Sequence, residues 1–336
     1  MKFDVGILGS EPLPAIVEQV KLAEALGYDT AWIADTHLIC RELWVTLAAC
    51  ALATRRIRLG PGIAVPHTRH ASVNASAAAT LDEIAPGRVV VGVGTGGSAA
   101  QTMGLTIKET ARTATLEHVV TAIRRLTRGE RMRFESGAEG GLAWLGAPRP
   151  IPVYAAGSGP RMLAAAGRVG DGAIMYASTD PAILRAAVGC VASGAEASGR
   201  RLADLDLGVW APMSIDADGA LARDHARGRV ASALRHPLPV PFAPGDQLVV
   251  DRLRREYDAF QHAQAGSRHR ELVPDRLVDL MALAGTPAEV REQVRRVMTV
   301  PEIGRVIIVT QVSDARFTDR ASILRTFAEG VMAHVS

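Results

Sequence analysis

The sequence predicts an α/β protein, a (β/α)8 TIM barrel with insertions, and three observations support this. A strand-like segment recurs about eight times along the 336 residues, each time followed by a glycine-containing loop and a helix. The segment after Arg88 is apolar through Val93, as a strand buried on both faces requires. The chain is long enough for such a barrel, so one domain is expected over residues 1–336.

The predicted elements alternate along the chain, and several helix ends carry their own signals. Gly27 is typical of a helix stop, and Pro181 is placed as the first residue of a helix. Thr286 and Glu289 flank Pro287 with the spacing of a capping box. The strands are expected at residues 3–8, 30–34, 57–65, 88–93, 151–155, 172–176, 205–212 and 305–310.

Two stretches do not fit the alternation and are predicted to be insertions. Residues 129–150 are rich in glycine and charge, and residues 218–284 lack a regular pattern. Because the second stretch contains the proline-rich segment 237–241, it is expected to lie near the active site and to select the substrate.

Composition excludes several classes of function. The net charge is +3 and the basic residues are scattered, so no nucleic-acid partner is expected. Cys40, Cys50 and Cys190 have no metal-binding spacing, which predicts no metal site and a reducing, cytoplasmic location. Neither a signal peptide nor an apolar run of about 18 residues occurs, so no membrane association is expected.

Glycines at the end of the fourth predicted strand indicate a close approach of backbone to a ligand. Gly92, Gly94 and Gly97 satisfy G-x-G-x-x-G, which by itself is also a dinucleotide-binding signature. A Rossmann dehydrogenase is therefore an alternative, although no acidic-tipped second strand follows. The simpler alternative is that the glycines only let a barrel strand end tightly.

The segment from Ser158 to Arg161 predicts a phosphate site. It ends the fifth predicted strand and opens a helix, where free N–H groups and the positive helix end favour an anion. Ordinary capping of the helix by Ser158 is the structural alternative.

Polar residues follow the second predicted strand. Asp35, Thr36 and His37 are expected at the barrel mouth, where an imidazole can transfer protons near neutral pH. A histidine bonded to a neighbouring loop is the alternative. Pro61 between Gly60 and Gly62 predicts a bulge in the third strand, beneath a flat ligand.

Taken together, these segments resemble the luciferase-like superfamily of flavin and deazaflavin oxidoreductases. They are most similar to its methylenetetrahydromethanopterin-reductase-type branch, which uses the deazaflavin coenzyme F420. The similarity is dense over residues 1–180, thins through 200–284 and returns at residue 285. The segments that carry it are 32–35, 53–63, 68–70, 79–83, 87–96, 152–156, 158–160, 166–172 and 285–287.

The resemblance implies a barrel that dimerises and binds its cofactor ring at the carboxyl ends of the strands. The ring would lie over a bulge made by a non-prolyl cis peptide, here between Gly62 and Ile63. The cofactor-contact positions it implies are Asp35, Gly62, Ile63, Val65, Thr95, Gly96, Ser158, Gly159, Arg161 and Met162.

The chain departs from that family pattern at two positions. Many F420 enzymes have His directly after Asp here, whereas this chain has Thr36 in that position and His37 one residue later. Sugar-phosphate-oxidising members carry Glu where this chain has Gly97, which argues against that substrate class.

The predicted function is hydride transfer between bound F420 and a small organic substrate, with His37 as proton donor or ring-positioning residue and Asp35 orienting it or the cofactor. The alternative is an FMN-dependent monooxygenase that uses reduced flavin and oxygen, with a separate reductase as a possible partner. A non-catalytic flavin-binding relative is a further alternative, and the displaced histidine favours it.

Overall fold

The computed structural model describes residues 1–106, 109–134, 136–258, 261, 267–310 and 320–335. In this part of the chain, eight parallel strands follow one another around a barrel. Its strands are β1 (Lys2–Ile7), β2 (Thr30–Ile33), β3 (Arg58–Pro61), β4 (Val91–Val93), β7 (Val153–Gly157), β8 (Gly172–Met175), β9 (Asp206–Ile215) and β11 (Ile303–Thr310). Three shorter strands lie off this ring: β5 (Met132–Arg133), β6 (Glu139–Gly140) and β10 (Leu283–Gly285).

The strand order confirms the predicted barrel. Hydrogen-bonded neighbours run β3-β2-β1-β11-β9-β8-β7-β4, and parallel bridges from Leu59 to Val89 and from Ala64 to Val93 join the two ends. The glycines of the G-x-G-x-x-G segment therefore follow a barrel strand, not the first strand of a doubly wound sheet. The Rossmann alternative is wrong.

Helices surround the ring and confirm most of the predicted ends. Thr286 caps a helix with Glu289 reaching back to its N–H, and Gly27 has a φ of +86° just beyond the first helix. The helices are α1 (Leu13–Ala25), α2 (Leu43–Ala53), α3 (Ala71–Ile84), α4 (Gly97–Thr102), α5 (Glu109–Thr127), α6 (Pro160–Val169), α7 (Pro181–Ala197), α8 (Gly219–Leu234), α9 (Pro244–Glu256), α10 (Asp275–Met281), α11 (Pro287–Met298) and α12 (Arg320–Gly330). Short 3-10 turns occupy Leu202–Asp204, Arg268–Leu272 and Met332–His334.

Both predicted insertions contain regular structure. Residues 129–150 include the antiparallel pair β5–β6. Residues 218–284 contain three helices and β10, which pairs with β9; positions 259, 260 and 262–266 of this stretch lie outside the described residues. The helical pattern of α8 is hidden in the sequence because every residue from Gly228 to Leu234 is buried, so no one-sided apolar stripe marks it.

The barrel interior is filled from its base upward. At the base, the fully buried Arg305 pairs with Asp4 at 2.7 Å and with Asp206 at 2.6 Å. Above them lies a layer of apolar and aromatic side chains, Trp32, Val90, Tyr154, Ile174 and Ile307. These side chains fill the interior of the barrel, and ligands in such barrels bind at the carboxyl ends of the strands.

Among the described residues, no helix combines the length and apolarity that a membrane crossing would need.

Candidate active site

A cavity of about 470 Å³ opens at the carboxyl ends of the barrel strands. Loops that follow β2, β3, β4 and β7 line it, together with the end of α8. All ten predicted cofactor-contact residues are in its wall: Asp35, Gly62, Ile63, Val65, Thr95, Gly96, Ser158, Gly159, Arg161 and Met162. Residues separated by more than 120 positions in the sequence thus share one wall, and the mouth is open to a ligand.

The floor of the cavity is flat and apolar. The peptide bond between Gly62 and Ile63 is cis, at the position that the family resemblance implies. Ile63 and Trp210 rest on the aromatic layer of the barrel and face the cavity. A Cβ atom on Gly94 would lie 2.2 Å from the Cδ1 of Ile63 and 3.2 Å from the Cβ of Ala156, so a larger residue would require the Ile63 side chain to shift.

Asp35 holds the bulge in place. Its carboxylate accepts a hydrogen bond from the N–H of Val65 at 3.0 Å and pairs with Arg69 at 2.8 Å. The Asp35 side chain is only 1% exposed. These contacts tie the loop after β2, which holds Asp35, to the backbone of the segment after β3.

The structure separates Thr36 from His37. Thr36 is buried, lines the cavity and has its hydroxyl 3.2 Å from that of Ser98. His37 is exposed and is absent from the cavity wall. To act as an acid or base, the imidazole of His37 would have to reach the cavity from this exposed position. The acid–base role of His37 therefore stays a prediction.

Gly96 fixes the start of α4 against the bulge. It is the N-cap residue of α4 and has a φ of +61°, a conformation that glycine adopts readily. A Cβ on Gly96 would lie 2.3 Å from the Cγ2 of Val65. The loop after β4 therefore packs directly on the segment that Asp35 holds.

The start of α6 presents uncapped backbone donors to the cavity. Gly159 is the N-cap residue, Pro160 is the first helical residue, and no side chain among the described residues caps this end. The expected alternative, capping by Ser158, is therefore wrong. Ser158 and Arg161 both line the cavity, so a hydroxyl, a guanidinium and the positive helix end converge on the same space.

A second group of polar residues lines the cavity, and the sequence did not predict it. The α8 residues Arg229 and Ser232, and His236 just beyond the helix, are spaced as one helical face and point into the cavity. The spacing i, i+3, i+7 is visible in the sequence, but nothing there shows that α8 lies over the barrel mouth. Other members of the group are Arg112, Tyr176 and Arg235.

Burial shifts the pKa values of two of these residues, His236 and Tyr176. It lowers the pKa of His236 to about 3, with help from the positive charges of Arg235, Arg112 and Arg254. It also raises the pKa of Tyr176. His236 is thus neutral at physiological pH and able to hydrogen-bond a ligand, but so low a pKa makes it a poor proton acceptor.

The electrostatics of the cavity favour anionic ligands. Four arginines line it: Arg112, Arg161, Arg229 and Arg235. The single carboxylate in the described wall, Asp35, is already paired with Arg69. Arginines therefore outnumber carboxylates in the described part of the wall, which favours the binding of anions.

A family model described as luciferase-like monooxygenase matches residues 1–300 of the chain. The 5,10-methylenetetrahydromethanopterin reductase of Methanolobus tindarius is 30% identical over 310 residues, which cover 89% of this chain and 91% of that protein. The F420-dependent glucose-6-phosphate dehydrogenase of Beutenbergia cavernae is 31% identical over 93% of this chain and 90% of that protein.

Solved structures agree on the fold. The coenzyme F420-dependent tetrahydromethanopterin reductase of Methanopyrus kandleri superposes with a TM-score of 0.81 at 23% identity, over 100% of this chain and 99% of that chain. The two chains therefore share their fold over nearly their whole lengths. The family model and the sequence relatives confirm the similarity predicted from the sequence motifs.

Proposed function

This chain belongs to the luciferase-like monooxygenase family, and we propose that it is an oxidoreductase that transfers a hydride between coenzyme F420 and a small organic substrate. The observation that carries the proposal is the joint geometry of the cavity. A flat floor at Gly62 and Ile63 and an uncapped helix end at Gly159 lie in one wall. A planar ring with a phosphorylated tail fits this pair of features.

The residues present fit such a cofactor. The glycine-lined floor would leave room for the ring, with Val65 and Gly96 in the same wall. Ser158, Arg161 and the first N–H groups of α6 would hold the phosphate. When bound, the deazaflavin supplies the carbon that donates or accepts the hydride, whereas the protein contributes orientation and a shielded pocket.

Titration of the purified protein with F420 and with FMN, followed by absorption and fluorescence, tests the proposal. We expect saturable binding of F420 with micromolar or tighter affinity, and weaker binding of FMN. Preference for FMN together with consumption of oxygen would favour the alternative, a monooxygenase supplied with reduced flavin by a separate reductase. Binding of neither cofactor would refute the proposal.

His37 provides a further test of the same function. If it supplies the proton, His37→Ala should lower kcat at least about tenfold while changing F420 affinity less than twofold. His67→Ala is the matched control, because His67 is likewise exposed and outside the cavity wall. Equal kcat values in the two variants would leave His37 without a catalytic role.

The proposed assembly is a homodimer that uses the outer face of α2. Val45 and Leu52 lie two turns apart on α2 and are 62% and 69% exposed. Leu38 and Val73, 54% and 52% exposed, occur in the neighbouring loop and helix. Exposed apolar side chains grouped in this way are typical of a subunit interface.

Leu52→Glu should therefore weaken the dimer about 100-fold or more, because the interface would have to bury a carboxylate. Sedimentation of the wild type should give twice the chain mass of 35.5 kDa, and the variant should sediment as a monomer. Leu248→Glu, which changes an exposed leucine on α9, should remain dimeric. A monomeric wild type, or a dimeric Leu52→Glu variant, would refute this interface.

The proposed location is the cytoplasm. Cys40, Cys50 and Cys190 are free thiols in the structure, in accordance with a reducing compartment.

A further inference from the structure

Arg229 is a buried cation with no hydrogen-bonding or ionic partner among the described residues. It lies on α8 in the cavity wall, and only 6% of the residue is exposed. Among the described residues, no hydrogen bond or ion pair to its guanidinium is formed, and its Nε is fully buried. Burying an unpaired charge is costly, so a charge in this state is poised to bind an anion.

The nearby carboxylates cannot serve as its partner, because other arginines already hold them. Glu11 pairs with Arg320, and Asp35 pairs with Arg69. The positive charge of Arg229 acts on Cys40 and Tyr176, which follow β2 and β8. Among the described residues near Arg229, the carboxylates are therefore paired with other arginines, whereas Arg229 has no negatively charged partner.

Arg229 has different neighbours from the start of α6, where the cofactor phosphate is proposed to bind. Arg161 and Met162 belong to α6, and Met162 contacts Thr113 of α5. The charge of Arg229, on α8, acts on Cys40 and Tyr176, which follow β2 and β8. Both groups of residues line the same cavity.

We propose that Arg229 binds an anionic group, a carboxylate or a phosphate, carried by the substrate. The inference rests on the proposed function and names the substrate class for it: a small organic anion that takes or gives a hydride. Ser232, one turn further along α8 and also in the wall, contributes a hydroxyl to the same site. A guanidinium pairs with either anion through two parallel N–H donors.

The test measures anion binding to the F420-loaded enzyme, in which the phosphate site at α6 is already occupied. The probes are inorganic phosphate, acetate and acetamide, the neutral isostere of acetate, each titrated by calorimetry. We expect phosphate or acetate to bind at least tenfold tighter than acetamide. Whichever of the two binds tighter identifies the anionic group of the substrate.

Arg229→Met removes the charge at similar side-chain length and should weaken that anion at least tenfold. Arg229→Lys should retain part of the affinity, because the charge remains and the paired donors are lost. Both variants should bind F420 within twofold of the wild type. In the absence of ligands, Arg229→Met should melt a few degrees higher than the wild type, since it removes an unpaired buried charge.

The outcomes separate this inference from the proposed function. Normal F420 binding with no preference for anions, or with equal anion binding by wild type and Arg229→Met, would refute the inference alone. A tenfold loss of F420 affinity in Arg229→Met would also refute it, because Arg229 would then bind the cofactor. Failure of F420 to bind any variant would refute the proposed function and the inference with it.

Discussion

Replacing Arg305 with methionine is expected to lower the free energy of unfolding by about 3–5 kcal/mol. Arg305 is fully buried at the base of the barrel and donates to Asp4, Asp29 and Asp206. Methionine fills much of the same space, but it leaves the buried carboxylate of Asp4 without its counter-charge. Urea denaturation followed by circular dichroism measures the loss.

The loss of stability in Arg305→Met should depend on pH, and the direction of this dependence follows from the pKa of Asp4. Burial raises the pKa of Asp4 to about 6 against the opposing charge of Arg305, and one Asp4 oxygen has no hydrogen-bond partner in the described structure. Without Arg305, the pKa rises further. A carboxyl group with a raised pKa stabilises the fold at low pH and loses that contribution as the pH rises through the folded-state pKa. Arg305→Met should therefore be more destabilising at pH 8 than at pH 5.

Two further variants test whether the unpaired Asp4 carboxylate causes the loss of stability. Arg124→Met breaks an ion pair with Asp171 in which the two side chains are 22% and 24% exposed, and should cost only about 1–2 kcal/mol. Adding Asp4→Asn to Arg305→Met should recover part of the stability, because the amide needs no counter-charge and its oxygen still accepts from the Nε1 of Trp32. Equal losses for Arg305→Met and Arg124→Met would contradict the importance of the buried cluster.

Ser158→Asp is expected to weaken F420 binding about 100-fold, equivalent to about 2.8 kcal/mol. Ser158 lies beside the uncapped start of α6, where the phosphate is proposed to bind. Two unit charges about 4 Å apart repel by about 4 kcal/mol at an effective dielectric constant of 20, and solvent at the mouth reduces this value. The aspartate would also cap the helix and compete for its N–H groups. Fluorescence titration with F420 measures the effect.

Ser158→Asn is the matched control, since asparagine has the size of aspartate without its charge. It should cost about tenfold or less, and raising the salt concentration should narrow the gap between the two variants. If Ser158→Asp and wild type bound F420 equally, the phosphate would have to lie elsewhere in the cavity.

Local patterns in the sequence were sufficient for the barrel, whereas most of the predicted wall residues came from the family resemblance. The run from Val89 to Val93 indicates a strand buried on both faces, because a parallel barrel strand meets apolar neighbours on either side. Thr286 and Glu289 mark a helix start through bonds between residues three apart. The glycines at positions 94 and 96 indicated a close approach, and the structure shows which side chains approach them.

What the sequence did not determine are features that depend on contacts between distant segments. His37 comes two positions after Asp35 in the sequence. The sequence could not show that Thr36 lines the cavity while His37 is exposed outside it. It also could not place Arg229, because the direction of α8 over the barrel mouth is fixed by packing against β9, β10 and α10. Local propensity and periodicity depend on residues that are close in the sequence. The charge of this cavity, in contrast, arises only when segments separated by more than 100 positions fold together.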